Sequence, residues 1–163
     1  MTENYETAFF AGGCFWGVEH LMKDFAGIID IVPGYMGGHV PNPTYEQVCA
    51  HTTGHVETVR IIFDPQQVTY ETLVKGFMEI HDPTQTDGQG PDIGPQYRSV
   101  IFYTTPAQQD TALQIIDILE KKGLHIATQV RPATPFYVAE DYHHQYYQRK
   151  GTTPYCHRRV KRF

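Results

Sequence analysis

The sequence lacks any long hydrophobic run. No apolar stretch approaches the roughly 20 residues that a membrane-spanning helix needs. The first residues, MTENYET, are acidic and polar, which is not the pattern of a secretory signal peptide. We therefore expect a cytoplasmic protein with no membrane partner.

Cysteine is also scarce, with three residues in 163: Cys14, Cys49 and Cys156. A disulfide-stabilised scaffold carries more cysteines, in an even number, so that class of protein is excluded. The three thiols are either small buried hydrophobic groups, or one or two of them carry out redox or nucleophilic chemistry.

The sequence has no excess of positive charge. Its formal net charge is −5 at pH 7, which argues against nucleic acid as a partner. The stretch CHRRVKRF is basic, but a short charged run of this kind is typical of a solvated segment.

Strand-like and helix-like hydrophobic patterns interleave along the chain, without an internal repeat or a linker. Strands are predicted at 5–11, 55–63, 98–105 and 126–132, and helices at 14–27, 68–81, 106–123 and 139–150. Residues 33–55 are rich in glycine and proline and are predicted to form a long ordered loop. We expect one α+β domain over 1–163, an α/β two-layer sandwich with helices packed on a small mixed sheet. Residues 150–163 are expected to be a mobile C-terminal segment.

The first predicted strand and helix meet in the stretch AFFAGGCFWGVEH, where Cys14 stands at the start of the helix. A helix N-terminus favours the thiolate, because it carries free N–H groups and a partial positive charge. Gly12 and Gly13 permit a tight turn and leave room for a substrate. Cys14 is therefore a candidate nucleophile, and the alternative is an ordinary buried cysteine.

Two adjacent aromatic residues, Phe15 and Trp16, follow this cysteine. Consecutive helical positions point about 100° apart, so both side chains cannot lie on the buried face of the helix. At least one of them is expected beside the thiol. Together they could form an apolar cup suited to a methyl or thioether group.

Four segments resemble the A-type peptide-methionine sulfoxide reductases, and they occur in the order found in that family. They read GGCFWGVE, NPTYEQVCAHTTGHVETVRIIFDP, GPDIGPQYRSVIFY and FYVAEDYHHQYY. The resemblance implies a catalytic domain that reduces the S epimer of methionine sulfoxide, free or in proteins, and so repairs oxidative damage. It implies no bound cofactor, and nothing in the sequence requires more than a monomer.

The resemblance also implies roles for individual residues. Cys14 corresponds to the nucleophile, and Glu57 to the acidic residue that protonates or hydrogen-bonds the sulfoxide oxygen. Tyr45 and Tyr97 correspond to two hydroxyls that grip this oxygen, and Asp92 to an aspartate that orients the substrate or the site. The sequence itself supports Glu57, because its neighbours Val56 and Val59 predict partial burial, which raises the pKa of a carboxyl group.

Recycling of the enzyme is implied to use a second thiol. A sulfenic acid on Cys14 condenses with a resolving thiol, for which Cys156 is the candidate, and thioredoxin reduces the disulfide. The family's usual tail is rich in glycine and often has two cysteines, whereas TTPYCHRRVKRF is basic and has one. Cys49 matches a non-catalytic cysteine of the family and is expected to serve in packing.

Three alternatives remain open on the sequence. A zinc site could use Cys49, His51 and His55, or the adjacent His143 and His144, but no pair of cysteines completes a tetrahedral set. A cysteine hydrolase could combine Cys14 with a histidine and Asp92. A binding module could use the aromatic cup without any chemistry.

Overall fold

The computed structural model describes residues 4–50, 52–89, 92–140, 143 and 160–163. Cys156 and His51 therefore lie outside the described residues. The helices are α1 (Phe15–Met22), α2 (Tyr45–Cys49), α3 (Tyr70–Ile80) and α4 (Pro106–Lys121), and Pro95–Tyr97 forms a turn of 3-10 helix. The strands are β1 (Glu6–Gly12), β2 (Ile28–Met36), β3 (Val56–Phe63), β4 (Gly88–Gln89), β5 (Asp92–Ile93), β6 (Ser99–Tyr103), β7 (Gln129–Pro132) and β8 (Tyr137–Val138).

Six of these strands form one sheet, in the order β7-β6-β1-β3-β2-β8. The β6–β7 pair is parallel and the other pairs are antiparallel, so the sheet is mixed, as predicted. β4 and β5 pair separately as a small antiparallel ribbon. The ribbon leads into the short turn that carries Tyr97.

The larger hydrophobic core lies between the sheet and helices α1, α3 and α4. α3 begins after Thr69, whose side chain accepts a hydrogen bond from the backbone of Thr72, as expected for an N-cap residue. Phe77 of this helix is fully buried and stacks on Phe10 of β1, with ring centroids 4.8 Å apart. The predicted two-layer α+β architecture is therefore confirmed.

A smaller apolar cluster covers the opposite face of the sheet. Its buried members are Ala11, Met36, Val56, Val100 and Phe102, and the side chains of Phe9, Ala133 and Phe136 pack against them. The alternation of side chains along β1 and β6 supplies both clusters, because successive strand residues point to opposite faces. The connection between β7 and β8 thus covers the face of the sheet opposite to helices α1, α3 and α4.

The predicted loop 33–55 is wrong in two places. Residues 28–36 form β2, an inner strand paired with β3 on one side and with β8 on the other. Pro33 and Gly34 suggested a loop, but Gly34 lies in close contact with β8, where a Cβ atom would lie 2.5 Å from the Tyr137 carbonyl oxygen. α2 also falls in this segment, and Thr44 and Gln47 form a capping box at its start.

Other boundaries differ less. α1 ends at Met22, five residues before the predicted end at Gly27. Most of the predicted final helix, 139–150, lies outside the described residues. Val160 donates a backbone hydrogen bond to the Glu79 carbonyl, while the mobility expected for residues 150–163 stays a prediction. Within the described part of the chain, no helix is long and apolar enough to cross a membrane.

Candidate active site

Cys14 is the N-cap residue of α1, and one residue, Gly13, separates it from the end of β1. Its carbonyl oxygen accepts the backbone hydrogen bonds of Gly17 and Val18, which close the first turn of the helix. The preceding Gly13 has φ +92°, in the left-handed region that glycine adopts without strain. The thiol is buried, with 5% of the residue exposed. The strand-to-helix turn therefore holds Cys14 at a helix start, where the sequence predicts it.

Glu57 lies on β3 and is fully enclosed, with 1% of the residue exposed. Its Oε1 accepts a hydrogen bond of 3.2 Å from the backbone N–H of Phe15. This amide belongs to the residue directly after Cys14, so the carboxyl group lies at the same end of α1 as the thiol. β3 and α1 are 42 residues apart in the sequence at this contact.

Burial raises the pKa of Glu57 to about 8, against the smaller opposing effect of the Phe15 amide. The negative charge of Asp92 raises it further. Glu57 therefore holds a proton at neutral pH. Because Oε1 already accepts a hydrogen bond, the proton belongs on Oε2, which has no hydrogen-bond partner among the described residues. A buried acid with a free O–H is suited to donate a proton to a bound substrate.

Tyr45 and Tyr97 lie in the same electrostatic neighbourhood as this acid. Burial raises the pKa of Tyr45, and ionisation of Glu57 or Tyr97 at high pH raises it further. Burial also raises the pKa of Tyr97, followed by the effects of Glu57, Cys49, Cys14 and Asp92. Both phenols therefore stay protonated at neutral pH and are able to donate hydrogen bonds. The structure brings together all five of the predicted polar and thiol residues that it describes.

The two aromatic residues after Cys14 differ in exposure. Phe15 is fully buried, with ring centroids 5.6 Å from Tyr35 and 6.3 Å from Tyr45. Trp16 is half-buried, and its ring centroid lies 6.1 Å from that of Tyr45. Of the two, Trp16 therefore presents surface to solvent, while Phe15 lies in the core. That either side chain contacts a substrate stays a prediction.

Three further residues lie at this site, and of these the sequence suggested a role only for His143, as a metal ligand. Tyr35 donates a hydrogen bond of 2.9 Å to Glu140, whose other carboxylate oxygen accepts the Tyr45 backbone N–H at 3.0 Å. His143 accepts a hydrogen bond of 2.9 Å from the Trp16 indole N–H. The signal available for Glu140 and His143 was the segment FYVAEDYHHQYY, in which both residues follow a strand.

The second described cysteine, Cys49, lies one helical turn after Tyr45 on α2. The two side chains are hydrogen-bonded to each other. Burial raises the pKa of Cys49, against the opposing effect of this hydrogen bond. Cys49 is therefore a thiol next to the candidate site, although the sequence assigns it to packing.

The zinc alternative rests in part on His55, which is buried and engaged by the backbone at both ring nitrogens. Its Nδ1 accepts from the Gly38 N–H at 3.0 Å, and its Nε2 donates to the Val40 carbonyl at 2.7 Å. These contacts fix the connection between β2 and α2. Among the described residues, no three histidine, cysteine or acidic side chains form a group that could hold a metal ion.

Comparison with known proteins identifies the family. Residues 6–163 match the family model described as "Peptide methionine sulfoxide reductase". The chain belongs to this family. It is 51% identical over 152 residues to the "Peptide methionine sulfoxide reductase MsrA" of Methanosarcina mazei. The aligned region covers 91% of this chain and 72% of that protein.

Solved structures of family members have the same fold. The reduced form of Mxr1 from Saccharomyces cerevisiae is 33% identical, has a TM-score of 0.90 and matches 95% of this chain and 92% of that one. Mxr1 in complex with Trx2 matches 98% of this chain and 94% of that one, with a TM-score of 0.66; at 23% identity this likeness concerns the fold alone.

Membership of the peptide methionine sulfoxide reductase family confirms the predicted resemblance and the predicted enzyme class, an oxidoreductase. The hydrolase and binding-module alternatives find no support among these relatives. The family assignment leaves the role of each residue to be argued from the geometry of this chain.

Proposed function

We propose that the chain reduces the S epimer of methionine sulfoxide, free or within proteins, to methionine. One observation carries this proposal: the buried carboxyl group of Glu57 is hydrogen-bonded to the amide that follows Cys14, and this burial raises its pKa to about 8. Reduction of a sulfoxide needs a soft nucleophile at sulfur and a proton for the departing oxygen. A thiol and a buried acid at one helix start supply both.

In the first half of the reaction, the Cys14 sulfur attacks the sulfoxide sulfur while the Glu57 proton passes to the sulfoxide oxygen. Tyr45 and Tyr97, both protonated, donate hydrogen bonds to this oxygen and offset its developing negative charge. The hydroxyl group then passes to the Cys14 sulfur while the bond between the two sulfur atoms and the S–O bond of the substrate break, so that methionine and a cysteine sulfenic acid form. The thiol proton of Cys14 replaces the proton that Glu57 has given up. The cysteine sulfur is thereby oxidised by two electrons, and the substrate sulfur is reduced by two.

The remaining predicted residues orient the substrate. Asp92 lies close enough to Glu57 and Tyr97 to affect both pKa values. It is assigned to orienting the substrate or the site. Phe15 and Trp16 are assigned to the apolar wall that receives the methyl group, because they follow the nucleophile directly and pack against Tyr45.

In the second half, the Cys156 thiol condenses with the sulfenic acid of Cys14, which releases water and forms a disulfide. Thioredoxin then reduces this disulfide by thiol exchange. The complex of yeast Mxr1 with Trx2 supports thioredoxin as the partner of a related enzyme. All electrons come from thiols, so the cycle uses no bound cofactor. We place it in the cytoplasm and assign it to a monomer.

The test is a single turnover without reductant. Mixing the enzyme with methionine S-sulfoxide is expected to yield about one methionine and to consume about two thiols per chain, as a sulfenate-to-disulfide sequence requires. Cys14→Ser is expected to abolish the reaction, and Cys156→Ser to leave one methionine with a single thiol consumed. Cys49→Ser is the matched control and is expected to behave like the wild type.

Several results contradict parts of the proposal. One methionine with one thiol lost in the wild type removes Cys156 from the cycle and leaves the sulfenic acid as the species that is reduced. Loss of the second thiol in Cys156→Ser but not in Cys49→Ser transfers the resolving role to Cys49. Turnover of the R epimer instead of the S epimer contradicts the assigned stereochemistry.

A further inference from the structure

Glu140 and His143, here called the Glu140–His143 pair, lie behind the aromatic residues of the candidate site. The carboxylate of Glu140 accepts hydrogen bonds from two distant parts of the chain: Oε1 from the Tyr35 hydroxyl at 2.9 Å and Oε2 from the Tyr45 backbone N–H at 3.0 Å. One side chain thus links β2 to the start of α2. An ionised carboxylate only accepts hydrogen bonds, so it suits both donors.

His143 is completely buried and contacts the aromatic rings of Phe15, Trp16 and Tyr45. Its Nδ1 accepts a hydrogen bond of 2.9 Å from the Trp16 indole Nε1–H. An indole N–H can only donate, so Nδ1 carries no proton and the ring proton lies on Nε2. That nitrogen faces Glu140 Oε1 at 3.8 Å. The Trp16 hydrogen bond therefore defines the tautomer, and the Glu140 carboxylate lies on the side of the ring that carries the proton.

The His143 ring also packs against the residues it orients. Its centroid lies 4.5 Å from that of Tyr45, 5.1 Å from that of Phe15 and 5.6 Å from that of Trp16. Hydrogen bonding and ring packing together fix the Trp16 indole relative to Tyr45. Trp16 immediately follows Phe15, whose amide holds Glu57. The position of the indole is thereby fixed relative to the proton donor as well.

We propose that Glu140 and His143 are positioning residues that fix Trp16 and Tyr45, and thereby restrict the alkyl group on the sulfoxide sulfur to methyl. The inference rests on the proposed function. When the Trp16 indole is fixed, the space beside it has the size of a methyl group. Without its hydrogen bond, the indole can rotate, and a larger alkyl group then fits in this space. One methylene in an apolar pocket is typically worth about 10-fold to 200-fold in discrimination between substrates.

The decisive comparison is between His143→Leu and His143→Asn. The two new side chains have nearly the same shape, but only asparagine offers an acceptor close to the position of Nδ1. For each enzyme, kcat/KM is measured with methionine S-sulfoxide and with ethionine S-sulfoxide. His143→Leu is expected to lower the ratio of the two values about tenfold, and His143→Asn to retain the ratio of the wild type.

Tryptophan fluorescence gives a second readout, because Trp16 is the only tryptophan in the chain. Loss of the Trp16–His143 hydrogen bond is expected to shift the emission of His143→Leu relative to the wild type. His143→Asn is expected to keep the wild-type emission. If His143 serves only in packing, His143→Leu and His143→Asn are expected to change the emission alike.

Glu140→Gln tests the other half of the pair and remains informative if leucine at buried position 143 prevents folding. A glutamine cannot accept from both Tyr35 and Tyr45 with both of its terminal atoms, so the same substrate ratio is expected to fall. Glu46→Gln is the control, because Glu46 is an exposed carboxylate on the same helix start as Tyr45. It is expected to leave the ratio unchanged.

The outcomes separate this inference from the proposed function. If the wild type does not reduce methionine S-sulfoxide, both are wrong. If it does, and His143→Leu or Glu140→Gln lowers kcat/KM for both substrates equally, the proposed function stands and the positioning role is wrong. If His143→Asn changes the ratio as His143→Leu does, the hydrogen bond to Trp16 has no role in specificity.

Discussion

Glu57 combines burial with a hydrogen bond to one oxygen only, and this makes it an acid near neutral pH. Replacing it by glutamine keeps the shape and removes the ionisable proton. Glu57→Gln is expected to reduce kcat about 100-fold to 10,000-fold, the usual size of a general-acid effect. Wild-type activity is expected to fall as the pH rises through about 8, where Glu57 loses its proton. Steady-state rates from pH 6 to 10 measure both.

Glu46→Gln, on the exposed start of α2, serves as the control and is expected to retain the wild-type profile. An unchanged rate in Glu57→Gln contradicts the role of Glu57 as acid.

The substitution Glu57→Gln, which is expected to lower activity, is expected to raise the free energy of unfolding at alkaline pH. The folded pKa of Glu57, about 8, exceeds the ordinary value of 4.5, so stability falls with rising pH between these values. At pH 8.5, Glu57→Gln is expected to be more stable than the wild type, because glutamine carries no charge that burial would penalise.

For individual residues, the sequence predicts the burial of Glu57 well and the role of His143 poorly. The burial of Glu57 follows from the apolar residues around it on one strand, and that information is local. His143 is different, because its partner Trp16 lies 127 residues away. Two adjacent histidines suggest metal ligands to a reader of the sequence, and only the fold shows that one of them orients an indole.

Among the elements, β2 depends on Gly34 for its contact with β8. A Cβ atom at this position would lie 2.5 Å from the Tyr137 carbonyl oxygen, a backbone atom that cannot rotate away. Gly34→Ala is expected to lower the free energy of unfolding by about 2 kcal/mol. It is also expected to reduce activity, because β8 leads directly to Glu140. Urea unfolding and kcat/KM measure the two effects.

Gly123→Ala is the matched control at the end of α4. Gly123 has φ +97° and no neighbour within 4 Å of a Cβ atom, so alanine adds backbone strain of about 1 kcal/mol and no clash. Activity is expected to stay at the wild-type level in this variant. Equal activity in Gly34→Ala and Gly123→Ala contradicts the link between β8 and the site.

β2 also shows why the long loop was mispredicted. Pro33 and Gly34 are typical of turns, and the sequence reports only that local preference. In the folded chain, the Pro33 carbonyl accepts the Ala139 N–H at 2.9 Å, and Gly34 lets β8 approach. Both residues thus serve a contact with a segment more than 100 positions later, which local patterns cannot reveal.

On the scale of the whole molecule, residues 160–163 lie against the end of α3. Arg162 donates from Nε to the Met78 carbonyl at 2.9 Å and from its backbone N–H to Glu79 Oε2 at 3.0 Å. A cation at a helix C-terminus is stabilising. Arg162→Ala is therefore expected to lower the free energy of unfolding by about 1 kcal/mol, measured by urea denaturation.

Lys161→Ala removes the same charge from the neighbouring exposed position and is the control for this experiment. It is expected to change stability little, since an exposed charge contributes little. If both variants lose the same stability, net charge explains the effect, and the contacts of Arg162 with α3 do not.

The assembly of the site could be predicted only through family resemblance. Cys14, Tyr45, Glu57 and Tyr97 lie on four different elements, and their proximity depends on the strand order β6-β1-β3-β2. Hydrophobic patterns predict that the strands exist, but they do not state which strands are neighbours. The quoted motifs supplied that grouping, and the pairing of β3 with both β1 and β2 explains it physically.

The bond from the Phe15 amide to Glu57 has a consequence for the design of artificial enzymes. It joins a peptide group to a carboxyl group, so the identity of the side chain at position 15 does not enter into it, provided that the residue is not proline. A designer needs only a helix that starts with cysteine and a neighbouring strand with an inward glutamate. Such a pair could be built into an unrelated scaffold, with the aromatic wall added afterwards to select the substrate.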